Sequence, residues 1–217
     1  MSEINNKSYR IKFEKTGMMK YISHLDLNRM FSRAFARAGI KIAHSEGFNP
    51  HPKIVFASAI SLGVESLCEL MDIKISEDEE ITESQILEKS KNAFPNGINI
   101  LEVYEPKTNF KYIDNTRYNI FIKPDGFGIE ELEKIFEGEV FAEKKPGVVI
   151  NLKDYILEIN ISGKDSEYKI IDVVVKTSTE KFLNPENIIK AINYKYTIDD
   201  YFIKKINVYD KNNAVFM

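Results

Sequence analysis

Residues 8–39 read SYRIKFEKTGMMKYISHLDLNRMFSRAFARAG, and two different periods inside this run decide the fold class. Tyr9, Ile11 and Phe13 alternate with polar residues, which is the period of a half-buried strand. KTGMMK is a turn. Ser23 then opens a helix with Asp26 three residues on, a start resembling a capping box. Leu27, Met30, Phe31, Ala34, Phe35 and Ala38 recur at helical spacing and make one apolar stripe. Gly39 suits the left-handed stop of that helix.

The pattern continues outward from this unit. Residues 53–60 read as a strand with Ile54, Phe56 and Ile60 on one face, followed by the turn SLGVES. Residues 67–75 read as another strand, 82–93 as a helix, and Ile98–Tyr104 as a strand after the Asn96-Gly97 break. Strand, helix, strand, strand, helix, strand is the order of the ferredoxin-like split βαβ unit, an antiparallel sheet with two helices on one face.

A second copy of the order follows. Tyr118–Ile122, Tyr155–Ile161, Lys169–Val175 and Tyr201–Tyr209 read as strands, with Gly163 joining the middle pair. Ile129–Phe136 and the segment through Ile188, Ile189 and Ile192 read as helices, Pro185 standing where a first-turn proline belongs. The expected fold class is α+β, two tandem ferredoxin-like halves with antiparallel sheets. The halves are residues 1–105 and 117–217, with 106–116, polar and containing Pro106, as the linker. Strand-like sequence near Glu139–Phe141 and Val148–Leu152 has no place in this scheme.

Bulk composition suits a globular chain: 217 residues, 43% hydrophobic and 29% charged. No apolar run approaches a membrane span, and MSEINNKSYR lacks the apolar core of a signal peptide. A single cysteine, Cys68, excludes an internal disulfide and a four-cysteine metal or iron–sulfur site. These features lead to the expectation of a cytoplasmic protein with no membrane partner. The net charge of −3 hides an asymmetry, because residues 1–60 carry 10 Lys+Arg against 4 Asp+Glu and the remainder 20 against 29. A basic segment suits an anionic partner such as nucleic acid; it also suits an acidic surface on the same chain.

The chemistry-bearing residues gather in the same segment. Arg29, Arg33 and Arg37 are spaced by four, so three planar guanidiniums share one helix stripe and could meet successive phosphates. The alternative is a solvated face with Asp26 pairing Arg29. Lys20, Lys41 and Lys53 lie near in sequence. The loop HSEGFNPHPK, residues 44–53, holds Gly47 for a positive backbone dihedral and two prolines that keep Asn49 and His51 extended. Phe48 either stacks on a base or folds back as a plug, and Asn49 is a further contact candidate.

All three histidines, His24, His44 and His51, fall in this neighbourhood, with Tyr21 beside them. Three readings compete: metal ligation, acid–base work on an RNA 2′-hydroxyl, and structural hydrogen bonding. The spacing matches no metal motif, so no metal is assigned. Glu65, Glu69 and Asp72 could form an acidic patch or the polar face of a strand pair. No P-loop, GxGxxG or GxSxG pattern is present.

The blocks SHLDL, GFNPHP and LGVES, in that order within Tyr9–Ile75, resemble the radical-SAM-associated (radical-SAM-linked) family of uncharacterised domains. The matching residues are Ser23, His24, Asp26, Arg29, Arg33, Ser45, Gly47, Phe48, Asn49, Pro50, His51, Pro52, Gly63, Glu65 and Ser66. The resemblance implies an RNA or ribosome context. This chain has no CxxxCxxC motif, so the iron–sulfur cluster and S-adenosylmethionine are expected on a partner radical-SAM protein, with no cofactor in this chain.

The expected function is an RNA-binding accessory that presents tRNA or rRNA to that enzyme. His24, His44, His51 and Tyr21 are the catalytic candidates should it act itself. Arg29, Arg33, Arg37, Lys53, Phe48 and Asn49 are the RNA- or anion-binding set. Two alternatives stand. One is a metal-independent endoribonuclease similar to the CRISPR-repeat-processing enzymes, with His24 or His44, Tyr21 and Lys20 as the reacting set. Those enzymes carry a late glycine-rich loop, whereas the last glycine here is Gly163. The other is a protein-interaction module. Pro50 and Pro52 are expected to keep the GFNPHP loop outside the sheet, against the N-terminal end of the Ser23 helix, with His24 and His51 facing one polar pocket.

Overall fold

The computed structural model describes residues 7–58, 60–163 and 167–217. Residues 1–6, where the signal-peptide reading falls, lie outside the described residues. So do Ala59, within the expected 53–60 strand, and 164–166, in the connection after Gly163. The protein is mixed α+β, and it divides into two compact units. The first runs to Asn109 and includes Met217; the second spans Phe110–Phe216. The expected 106–116 linker is therefore narrower. Residues 110–112 form a short 3-10 turn and 113–116 already belong to a strand, because Ile113, Asn115 and Thr116 are buried.

The first unit contains β1 (Ser8–Lys15), α1 (His24–Arg37), β2 (Ile54–Phe56), β3 (Val64–Lys74), α2 (Glu83–Ser90) and β4 (Ile98–Tyr104). Its strands lie in the order β4-β1-β3-β2, every neighbouring pair antiparallel. The β2 strand is shorter than 53–60, and β3 starts earlier than residue 67. Tyr9, Ile11 and Phe13 are fully buried, as their alternation requires. Phe13 meets Phe31 of α1 edge-on at 4.8 Å, and Phe31 meets Phe94 at 4.9 Å. An aromatic seam thus ties helix to sheet. Gly39, at φ +65, ends α1 with two hydrogen bonds: its N–H donates to the Ala36 carbonyl at 3.1 Å, and the Ile40 N–H donates to the Phe35 carbonyl at 3.0 Å. This left-handed cap satisfies carbonyls that would otherwise be left over.

The second unit contains β5 (Ile113–Ile122), α3 (Ile129–Glu137), β6 (Phe141–Lys145), β7 (Val148–Asn151), β8 (Ile156–Ser162), β9 (Lys169–Lys176), α4 (Glu186–Asn193) and β10 (Tyr201–Asp210). Its sheet runs β10-β5-β9-β8, again antiparallel. The strand-like sequence that had no place in the scheme forms a separate hairpin, β6 with β7. No helix among the described residues is long and apolar enough to cross a membrane.

Candidate functional site

The loop quoted above is built onto the first unit by a short ladder. The Lys53 N–H donates to the Ala43 carbonyl at 2.7 Å, and the Ser45 N–H to the His51 carbonyl at 2.8 Å. His44 and Pro52 face each other between these two bonds. In an antiparallel ladder that is a non-hydrogen-bonded pair, whose N–H groups point away from the partner. Pro52 therefore costs no ladder bond. The GFNPHP residues lie outside the named strands, as expected, but Pro52 pairs with His44 in an isolated bridge and the tip at 46–50 projects beyond it. The Ser45 hydroxyl accepts from the His51 N–H at 3.0 Å and closes the stem. Gly47 at φ +117 turns the tip. Phe48 is fully exposed there, at 112% of the reference area, so it is not a plug on the core; Asn49 is exposed beside it.

The α1 helix presents the arginines as its spacing predicts. Ser23 caps it, accepting from the Asp26 N–H at 3.1 Å and donating its hydroxyl to the Asp26 carboxylate at 2.7 Å. That hydroxyl, and then the Arg29 guanidinium at 3.2 Å, hold the Asp26 carboxyl below its ordinary pKa. Arg37 donates to the Ala93 carbonyl at 2.8 Å. Arg33 makes no ion pair or side-chain hydrogen bond among the described residues. The three arginines line one open cleft of about 330 Å³ with Asp26 and Met30.

Arg29 and Arg33 also line a second cleft, of about 380 Å³, with Leu25, Asn28, Ser32, His51 and Pro52. The cleft thus runs along the flank of α1, from Leu25 in its first turn to Arg33. His24 is not among the residues of this cleft. Its ring sits edge-on to Phe56 at 5.2 Å, and none of the clefts described among these residues has both His24 and His51 in its walls. His44 lines a different, mostly apolar pocket of about 420 Å³ with Ser32, Ala36, Ile40, Ile42 and Pro52. Lys53 lies beyond the stem, in a cleft with His51, Asp72 and Lys74. Tyr21 is exposed and its ring lies under the Lys20 ammonium at 5.3 Å. Among the described residues, no three His, Cys, Asp or Glu side chains are grouped to share a metal ion.

The proposed acidic patch is not a surface patch. Glu69 is buried, Asp72 is engaged by Arg10, and Glu65 accepts from the Gly17 N–H. Sequence reasoning missed Asn28, Ser32 and Ala36 as lining residues. Their signal was available: short side chains spaced by four, between the apolar and arginine stripes, leave room for Pro52. Lys74 carried no local signal, because its place beside Lys53 follows from the pairing of β2 with β3.

Several comparisons bear on this arrangement. No curated protein matches the chain. A chain in the crystal structure of a Cbf5-Nop10-Gar1 complex aligns with a TM-score of 0.50 at 6% identity, covering 92% of this chain and 48% of its own. The protein thus spans about half the length of that chain, and the likeness concerns fold alone. The crystal structure of an unknown protein from Galdieria sulphuraria aligns over 93% of this chain and 99% of its own at 12% identity. Its TM-score of 0.28 is too low to carry an argument. Residues 8–185 match the family DUF2344, described as an uncharacterised protein conserved in bacteria, and the chain belongs to that family.

Proposed function

We propose that the protein is an RNA-binding accessory whose α1 flank and GFNPHP loop grip an RNA backbone and present it to a separately encoded radical-SAM enzyme. That partner would hold the iron–sulfur cluster and S-adenosylmethionine. The observation that carries the binding part is the double role of Arg29 and Arg33, which line both the arginine cleft and the His51 cleft. A guanidinium fork matches phosphate oxygens in geometry and charge, and Arg33 has no competing ion pair among the described residues. The exposed Phe48 offers a face for stacking. The radical-SAM partner is supported by the SHLDL, GFNPHP and LGVES blocks. We read each unit as ferredoxin-like; the shared strand orders, β4-β1-β3-β2 and β10-β5-β9-β8, support this.

The test is salt-dependent binding of tRNA and rRNA fragments. Binding should weaken with a log–log slope of about 0.7–0.9 per phosphate neutralised, and Arg29→Gln with Arg33→Gln should lower that slope. No RNA bound at low salt, with or without the partner, would overturn the reading. Purification from the native host should bring a radical-SAM protein along; its absence removes the presenting role. The endoribonuclease alternative needs Tyr21, Lys20 and a histidine together. His24 packs against Phe56, and His44 lines a mostly apolar pocket whose walls include neither Tyr21 nor Lys20, which supports binding over self-contained cleavage.

A further inference from the structure

We infer that this site takes a single strand rather than a duplex. The strand would run from the arginines of α1 over the His51–Pro52 ridge to Lys53 and Lys74, with one base in the pocket of His44. The inference rests on the RNA reading above. Its basis is the way the clefts share walls. Arg29 and Arg33 belong to both the arginine cleft and the His51 cleft. His51 and Pro52 belong to both the His51 cleft and the cleft of Lys53 and Lys74. Ser32 and Pro52 join the His51 cleft to the His44 pocket. Through these shared walls the depressions adjoin one another around Pro52 and His51.

An A-form duplex is stiff and displays its bases only at groove edges, so it can lie on the arginine stripe but cannot follow a track around Pro52 and His51. A single strand bends at each backbone and can splay a base sideways. The His44 pocket suits such a base. Ala36, Ile40, Ile42 and Pro52 supply apolar walls, and the imidazole supplies a ring for stacking with hydrogen-bonding nitrogens at its edge.

The charges along the track fit a phosphodiester chain. Neither the Lys53 nor the Lys74 ammonium has an ion pair among the described residues. Lys41, at the base pocket, is engaged by Asp78 at 2.8 Å. Asp72 is the acidic group in the last cleft, and its carboxylate is neutralised by the Arg10 guanidinium at 2.8 Å.

Fluorescence anisotropy on the full chain tests this with a labelled 12-nucleotide single-stranded RNA and a blunt duplex of the same sequence. The single strand should bind at least about tenfold more tightly. Lys53→Gln with Lys74→Gln should weaken the single strand and cut its log–log salt slope by about 1.4, from about 0.7 per phosphate contact. The duplex should be unaffected by that change. Arg29→Gln with Arg33→Gln should weaken both. Equal binding of strand and duplex overturns the single-strand inference, as does an unchanged salt slope in the double-lysine variant. If the arginine variant still weakens both ligands, the RNA reading survives that failure. Absence of binding to either RNA overturns both.

Discussion

Arg10 of β1 and Asp72 of β3 stand directly opposite each other, and the guanidinium grips the carboxylate with two bonds, Nε to Oδ1 at 2.8 Å and Nη2 to Oδ2 at 2.9 Å. Arg10 is fully buried and also donates to the Thr108 carbonyl at 2.7 Å. Removing one partner of a buried, hydrogen-bonded pair leaves an uncompensated charge. Asp72→Ala is expected to cost about 3 kcal/mol in urea unfolding. A loss under about 1 kcal/mol would show that water replaces the carboxylate.

Gly97 should tolerate no side chain. It has φ +93, and a Cβ there would lie 2.4 Å from the Thr16 carbonyl oxygen. That backbone cannot withdraw freely, since the Thr16 N–H donates to the Gly97 carbonyl at 2.8 Å. Gly97→Ala is expected to lower stability by at least about 2 kcal/mol. A melting temperature equal to wild type would contradict the close approach.

The Ser23 cap sets a pH dependence. Asp26 has its pKa held below the ordinary 3.8 by the Ser23 hydroxyl first and Arg29 second. A carboxyl with a depressed folded pKa contributes stability above its unfolded pKa and loses it as pH falls through the folded value. An NMR titration should therefore find the Asp26 carboxyl titrating below pH 3.8, moving upward in Ser23→Ala. That variant should also lose about 1 kcal/mol from the missing cap. An unshifted Asp26 in wild type would refute the hydroxyl's role.

Phe48 should separate binding from stability. Its ring touches no core, so Phe48→Ala is expected to stay within about 0.5 kcal/mol of wild type in chemical denaturation. If the ring stacks on a base, the same change should weaken RNA binding by about 1–3 kcal/mol, or about 5- to 150-fold. A destabilised variant with unaltered RNA affinity would return Phe48 to a structural role.

Much of the fold was legible because its signals are local. The alternation of Tyr9, Ile11 and Phe13, the stripe from Leu27 to Phe35, and the stop at Gly39 each depend on residues a few positions apart. The β6–β7 hairpin was less legible, since its strands are short and Phe141, Val148 and Val149 stay exposed. The site was legible in composition only. The sequence placed three histidines and three arginines in one segment without saying which would share a cleft.

The sequence by itself determined the order of elements, the arginine stripe and the stiffness of the GFNPHP loop. These follow from helical and strand periods and from the restricted dihedrals of proline and glycine. Only the tertiary structure decided that His51 lines a cleft with Arg29 and Arg33 while His24 turns to Phe56, and that the buried Arg10 pairs with the half-buried Asp72. Those outcomes depend on ladders between distant segments, 43–45 with 51–53 and β1 with β3. Which side chains such pairings bring together is set by register and burial across the sheet, and no local period encodes it.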